Sequence, residues 1–384
     1  MKTKSLTQVC NITTGKLDAN AEIPNGKYPF FTCAPDPLRI DTFAFDDDVI
    51  LLAGNNAQGN FHIQRFKGKF NAYQRTYVIT ARDGYDIDYV KYSLELSLQH
   101  LKRIAQGSQT KFLTMQILDS FRVVDIPYNA QRHLIGSIRE VDSKISLNTC
   151  ICAKLESMAK MLYDYWFTQF DFPDENGKPY RSSGGEMVWN DQLNREIPKG
   201  WNVGQLSDIA NIAMGQSPAG ETYNENGNGM IFYQGCTDFG TRFPVPRVYT
   251  TAPTRFAKSG DILMSVRAPV GTLNVAIEDC SIGRGLAALN SIIGSQLYLW
   301  YTLAGFKQLF NVLDGNGTTF GSITKDTLYE TKVVIPNPVL VKSFEEIVQP
   351  IEQKIRIIEE ENRELTKLRD WLLPMLMNGQ ATVK

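Results

Sequence analysis

Histidine is nearly missing from this sequence, with three in 384 residues. Its six cysteines, Cys10, Cys33, Cys150, Cys152, Cys236 and Cys280, include no Cys-x-x-Cys pair. A zinc site needs closely spaced thiolates or imidazoles, so the pattern argues against one and fits reduced thiols in a cytoplasmic protein. No metal or cofactor is expected. Long apolar runs are missing as well. The most apolar stretch, 292–310, is broken by Gly294, Ser295, Gln296, Gly305 and Lys307, which suits a core helix and not a membrane span. Met1-Lys2-Thr3-Lys4-Ser5 leads into polar sequence and has no leader-peptide character. An excess of one charge is missing too. The net charge is -1, with fifteen Lys/Arg against thirteen Asp/Glu over 1–127 and nine against ten over 201–337. Stand-alone phosphate binders carry a basic footprint. Any nucleic-acid role must therefore rest on local clusters or on partners that supply positive charge.

Catalytic motifs fail one by one. Gly54-Asn-Asn-Ala-Gln-Gly59 has the glycine spacing of a phosphate loop, but Asn60-Phe61 follows where Lys-Ser/Thr is required. Asp238-Phe239-Gly240 spells the kinase metal tripeptide without a His-Arg-Asp loop. Asn337-Pro338-Val339 starts like an amino-methyltransferase signature and lacks its second proline and aromatic. Pro173-Asp174 with Lys178 resembles a nuclease core, yet Asn176 stands where an acid is needed. There is no Gly-x-Ser-x-Gly elbow. The chain is not expected to be an enzyme by itself.

What is present occurs twice. From Gln131 to Phe167 the apolar positions fall three and four apart: Ile138, Val141, Ile145, Cys152, Leu155, Leu162 and Trp166, with Asn148 and Ala159 on the same seam. The ladder returns as Val348, Ile351, Ile355, Ile358, Asn362, Leu365, Leu372 and Leu376. Such spacing over about four heptads marks a coiled-coil seam. The segments before the two helices repeat as well. Leu6, Val9, Asn11, Ile12 and Gly15 match Leu206, Ile209, Asn211, Ile212 and Gly215 without a gap. Asp48-Val-Ile-Leu-Leu answers Asp261-Ile-Leu-Met-Ser, and a helical stretch 88–103 answers 295–310. Gly107, Thr110 and Phe112 share their spacing with Gly315, Thr318 and Phe320. Each set then enters a strand closed by proline, at Pro127 and Pro336. The chain reads as a tandem duplication.

The length suggests two or three domains, and the repeat sets their bounds. Units 1–127 and 201–337 are each followed by a long helix, 128–170 and 338–384, and a Gly/Pro/Ser-rich linker, 171–200, joins the halves. That linker favours turns over regular structure, with Trp189 and Trp201 pinning it to a neighbouring surface. Pro350 should kink or restart the second helix, and Pro374 should stop or bend its last turns. The expected fold is α+β: two related units of mixed strands and short helices, joined by an antiparallel coiled coil about an approximate two-fold axis. About 35 helical residues at ~1.5 Å each give a rod of roughly 50 Å. Asn148 and Asn362 fall on the seam, where buried asparagines fix register.

Loops rich in amide, basic and aromatic side chains are the candidates for contact with nucleic acid. In the first unit they are Asn55, Asn56, Gln58, Asn60, His62, Gln64, Arg65, Lys67, Lys69, Gln74 and Arg75. In the second they are Gln216, Gln234, Arg242, Arg247, Arg255, Arg267, Arg284, Asn316 and Thr318. Asn and Gln pair bidentately with adenine and Arg with guanine, while Lys suits phosphate. Taken singly, each residue is better explained as a solvated loop or turn residue. Clusters at matching places in both copies carry the inference.

These motifs resemble the specificity subunits of type I restriction–modification systems. The resemblance covers the whole chain and rests on the repeated Gly…Thr-x-Phe, strand-Ile-Pro, long-helix order. Its most specific part runs from Leu162-Tyr-Asp-Tyr-Trp166 through Phe170-Asp-Phe-Pro-Asp-Glu-Asn-Gly-Lys-Pro179-Tyr, with Ser183-Gly-Gly-Glu-Met187, Ile197-Pro-Lys-Gly-Trp201 and the tail Leu372-Leu-Pro-Met-Leu-Met-Asn-Gly379. The resemblance implies a non-catalytic subunit whose two recognition domains each read one half of a split, asymmetric duplex DNA target. The helices would act as ruler and as docking surface for two modification (methyltransferase) subunits, and a restriction (translocase/nuclease) subunit would join them. Encircling partners would supply the missing positive charge. The competing readings are a coiled-coil interaction scaffold without nucleic acid, and an enzyme, the detached recognition half of a fused nuclease–methyltransferase.

Overall fold

The computed structural model describes residues 2–57, 59–107, 110–315 and 322–377. The chain forms two units, 1–146 with 364–384 and 147–363, each containing part of both long helices. Among the described residues no helix is long and apolar enough to cross a membrane.

In chain order the first unit contains β1 (Thr3–Ser5), α1 (Leu6–Val9), β2 (Cys10–Thr14), β3 (Tyr28–Phe31), β4 (Leu38–Ile40), β5 (Phe45–Ala53), β6 (Asn55–Asn56), β7 (Ile63–Ala72) and β8 (Thr76–Ala81). It continues through α2 (Ile87–Ile104), β9 (Lys111–Phe112), α3 (Met115–Ser120), β10 (Arg122–Val124) and the start of α4 (Tyr128–Tyr163). Its main sheet has the order β2-β8-β5-β7-β3-β4, antiparallel except where β3 runs parallel to β7. Alternation along β5 divides its apolar residues between two faces. Ile50 and Leu52 join Leu6, Val9 and Tyr89 under the helices, while Val49 and Leu51 pack with Phe31 and Phe70 on the other side. Asp86 caps α2 by accepting from Asp88 N at 2.9 Å. Tyr89 then donates its hydroxyl to the Val124 carbonyl at 3.0 Å and ties that helix to β10.

The second unit starts with the remainder of α4, extended by a π-helical turn, Asp164–Thr168. There follow β11 (Met187–Asn190), β12 (Arg195–Pro198), β13 (Asn202–Gln205), β14 (Ala210–Met214), β15 (Tyr223–Asn224), β16 (Met230–Tyr233), β17 (Tyr249–Thr250), β18 (Phe256–Ala257), β19 (Ile262–Ser265), β20 (Leu273–Val275), β21 (Cys280–Ile282) and β22 (Leu286–Ser291). The chain closes with α5 (Gln296–Gly315), α6 (Lys325–Glu330), β23 (Lys332–Ile335) and α7 (Pro338–Met377). The fold of the first unit returns with the same pins. β13 pairs with β23 as β1 pairs with β10. Thr114 and Thr324 cap α3 and α6, and Tyr298 donates to the Val334 carbonyl at 2.7 Å as Tyr89 does to Val124. One difference is that the single six-stranded sheet is replaced by two sheets, β14-β22-β19-β20 and β15-β17-β16-β21-β18.

Strand pairing corrects the sequence register by one residue. Ile50 faces Ile79 and Ile262 faces Leu289. Ile50 and Leu52 therefore correspond to Ile262 and Met264, which lie in the helix-facing core of the second unit, while Leu51 corresponds to Leu263 on the opposite face. Aligning Asp48 with Asp261 exchanges the two faces, which a period of two does not tolerate.

The long helices pair antiparallel within each unit. In the first, Ile135 and Ile138 share a core with Leu373 and Leu376, and Arg369 donates to Asp142 at 3.3 Å. In the second, Cys152 packs with Ile355 and Ile358. Asn148 and Asn362, 2% and 9% exposed, are joined by an Nδ2–H···Oδ1 bond of 2.9 Å. α7 is helical through Pro350 and Pro374, against the expected interruption. Proline removes one hydrogen bond, and here Val348 and Ile355 on either side of Pro350 are buried. The linker also differs from expectation. Residues 187–198 form the hairpin β11–β12. Trp201 is buried against Phe170 and Phe172, whereas Trp189 is 59% exposed and pins nothing in this unit.

Candidate nucleic-acid interface

Four loops meet at one edge of the second unit: 215–217 after β14, 234–237 after β16, 266–268 after β19, and 283–285 between β21 and β22. They meet because glycine lets backbones touch. A Cβ on Gly215 would overlap the Gly283 carbonyl. One on Gly283 would lie 2.9 Å from Gln234 Cα, and one on Gly285 would lie 2.7 Å from the Gln234 oxygen. Backbone bonds fix the crossing: Val266 N to Gly285 O at 2.9 Å, Gly283 N to Tyr233 O at 2.8 Å and Gln216 N to Ile282 O at 3.0 Å. The result is a cleft of about 200 Å³ whose lining includes Gln234, Thr237, Arg267 and Arg284 and no carboxylate. Ser217 braces it, receiving Gln234 Nε2 at 3.4 Å and Arg284 N at 3.2 Å. The side chains of Gln216, Gln234, Arg255, Arg267 and Arg284 are exposed.

The first unit builds the same crossing. Gly54 N donates to Arg75 O at 2.8 Å and Tyr73 N to Phe31 O at 2.9 Å. Asn55 is thus the counterpart of Arg267, and Gln74 that of Arg284. Most candidates here already have partners. Asn55 and Asn56 form β6 against β9. Asn60 Oδ1 accepts from Lys102 Nζ at 2.6 Å, and Gln74 donates to Asp18 at 2.6 Å. His62 meets the Ala34 carbonyl at 2.8 Å, and Gln64 donates to that of Pro35 at 2.6 Å. These contacts brace the loop after β3, which corresponds to 234–237. Arg75 is exposed at the turn, and Lys67 and Lys69 are exposed on β7 opposite Asp48 and Asp46. Gln58, Asn316 and Thr318 lie outside the described residues.

Two arginines leave the candidate set. Arg242 is 1% exposed. Its Nε donates to Glu352 at 2.8 Å and a second nitrogen engages the same carboxylate. Glu156 is 3.6 Å away, and the guanidinium lies 3.6 Å over the Trp300 ring. This cation holds helix α7 to the unit and cannot reach a ligand. Arg65 pairs with Asp48 and Asp88 and donates to the Val49 and Phe66 carbonyls at 3.2 Å. Burial pushes the Asp88 carboxyl up, but Arg65 and Arg139 outweigh it and hold the group below its ordinary range. Arg247 is exposed but bonded to Asp238 at 2.7 Å. Ser217 and Thr237 were not among the sequence candidates. Ser217 follows the repeated Gly215 landmark, which was its one visible signal.

Among the described residues, no group of three or more His, Cys, Asp or Glu could hold a metal. Burial pushes the thiols of Cys10, Cys152 and Cys280 up to about 12, so they are protonated at neutral pH.

A duplicated strand-and-loop module, each copy presenting polar loops and followed by a long helix that pairs with its counterpart, defines a class of two-module proteins joined by paired helices. The chain belongs to the type I restriction modification DNA specificity domain family, whose model matches residues 1–157 and again 198–367. It is 30% identical over 225 residues to the type I restriction enzyme EcoDI specificity subunit of Escherichia coli, covering 55% of this chain and 49% of that one. A Methanocaldococcus jannaschii relative with the provisional name type I restriction enzyme MjaX specificity subunit is 35% identical over 193 residues, 49% of this chain and 45% of its own. The matches thus span about half the length of these two relatives. The crystal structure of a type I restriction–modification S subunit from M. genitalium shares the fold, with TM-score 0.57 and 17% identity over 98% of this chain and 95% of that one.

Proposed function

We propose that this chain is the DNA sequence-specificity subunit of a type I restriction–modification enzyme, itself non-catalytic, acting in the cytoplasm on a two-part asymmetric target. The observation that carries this reading is the repeated glycine-lined crossing. At equivalent places it carries amides in one unit (Asn55, and Gln74, whose Nε2 also donates to Asp18) and guanidiniums in the other (Arg267, Arg284), side chains suited to base edges in the major groove. Residues 1–127 and 201–337 are the two readers, 128–170 and 338–384 the spacer segments, of which 378–384 lie outside the described residues, and 171–200 the connection. Exposed apolar side chains on the helices, including Met158, Met161 and Ile357 in the second unit and Leu368 and Trp371 in the first, suit docking of two modification subunits. A restriction subunit joins that assembly. The near-neutral charge fits a subunit whose partners make most of the phosphate contacts.

Sequencing methylated bases in a host with and without the gene tests this. The expected result is an adenine-methylated motif of two specified blocks around an unspecified spacer, present only with the gene. A continuous motif, or no change in methylation, would refute it.

A further inference from the structure

Resting on the reading above, we infer that Arg267 and Arg284 read guanine, so that the half-site contacted by residues 201–337 contains guanine on the bases facing this cleft. The first unit uses amides at the equivalent positions.

The two arginines differ from three of the other guanidiniums considered above. Arg65, Arg242 and Arg247 are each bound to carboxylates. Among the described residues no carboxylate pairs with Arg267 or Arg284, and none lines their cleft. Arg255 is likewise exposed with no acid partner among the described residues, but it does not line the cleft. The two guanidiniums that do line it are kept clear of acids and available to an outside acceptor.

Their mounting favours bases over phosphate. Arg267 is held on both sides, by a bridge to Ser322 and by the bonds Val266 N to Gly285 O and Ile323 N to Val266 O. Arg284 stands between Gly283 and Gly285, with its own N–H on Ser217 Oγ. A planar fork on a fixed backbone keeps its bidentate geometry, and guanine O6 and N7 offer two acceptors at that spacing. Two positive charges in a segment, 201–337, with nine basic against ten acidic residues are too few for binding driven by the phosphate backbone. Gln234, from a third loop of the same cleft, adds an amide beside the two forks.

The test uses the full chain assembled with its modification subunits. DNA with both half-sites randomised is selected and sequenced for wild type, Arg267→Ala and Arg284→Ala, and affinity for the best sequence is measured across a salt series. The expectation is that each variant loses preference for guanine at one position of one half-site, by roughly 5- to 150-fold, the range of one bidentate pair. The other half-site keeps its preferences. A uniform loss of affinity on every sequence, with the salt slope reduced by about one, would assign a phosphate contact and overturn the inference. Unaltered selection by both variants would overturn it too, leaving the proposed function intact. If the wild-type assembly selects no sequence at all, the proposed function fails and this inference with it. Thermal unfolding of each variant separates loss of contact from loss of fold.

Discussion

Arg242 shows how one residue type takes opposite roles inside a single unit. It is a buried cation over Trp300 with its fork on Glu352, whereas Arg267 and Arg284 are exposed and paired with no acid among the described residues. Removing one member of a buried pair leaves the other charge stranded. Arg242→Met should therefore cost about 3–5 kcal/mol in a denaturant titration, and Arg242→Met with Glu352→Leu should recover most of the loss. The DNA preference of the assembled Arg242→Met protein should match wild type. A change of preference at unchanged stability would place this side chain at the interface after all. The sequence shows five arginines of interest in the second unit but cannot sort them. The partner of Arg242 lies 110 residues along the chain, and pairing at that range is set only by the fold. In the same way, the exposure of Trp189 and the burial of Trp201 have no signature in their neighbours.

Elements were easier to read than residues, with errors where a local cue competed with packing. The long helices, α4 and α7, lie where the seam ladders put them, each starting ten residues ahead of its ladder, because a four-heptad period is hard to mistake. The one-residue slip between Asp48 and Asp261 arose from aligning two acidic turns, although burial belongs to the alternation behind them. Pro350 carries a strong local rule against helix, and flanking buried residues prevail over it. The rung formed by Asn148 and Asn362 offers a sharper test of element pairing. Asn148 Nδ2 also donates to Glu361 at 2.7 Å, so Asn148→Val, which strips the buried Asn362 amide of its partner, should cost about 1–3 kcal/mol, and Asn362→Val should cost less. The double valine variant should regain that loss, because two apolar groups of similar shape are close to neutral there. Denaturant midpoints of the four proteins give the coupling directly, and additive losses would show that the two amides do not interact in solution.

On the scale of the whole molecule, the duplication was legible because landmarks recur in order across hundreds of residues. The target bases were not, because they depend on where a few side chains end. If the paired helices set the distance between two readers, inserting one heptad into each beside the asparagine rung lengthens the spacer helices by ~10 Å, about three base-pair steps. Methylated-motif sequencing should then show both half-sites unchanged around a wider gap. Altered half-sites at constant spacing would separate the helices from any measuring role.

The asparagine rung bears on evolution by duplication as well. Strand pairing sets Arg122, opposite Ser5, level with Lys332, opposite Gln205. Carried into the helices, that shift takes Asn148 to Ile358 and Cys152 to Asn362. Two copies of the first half would bring an amide against a thiol, and two copies of the second an amide against an isoleucine. Only unlike halves satisfy both carboxamides, so the contact acts as a mating-type check that favours a heterotypic couple over either self-match.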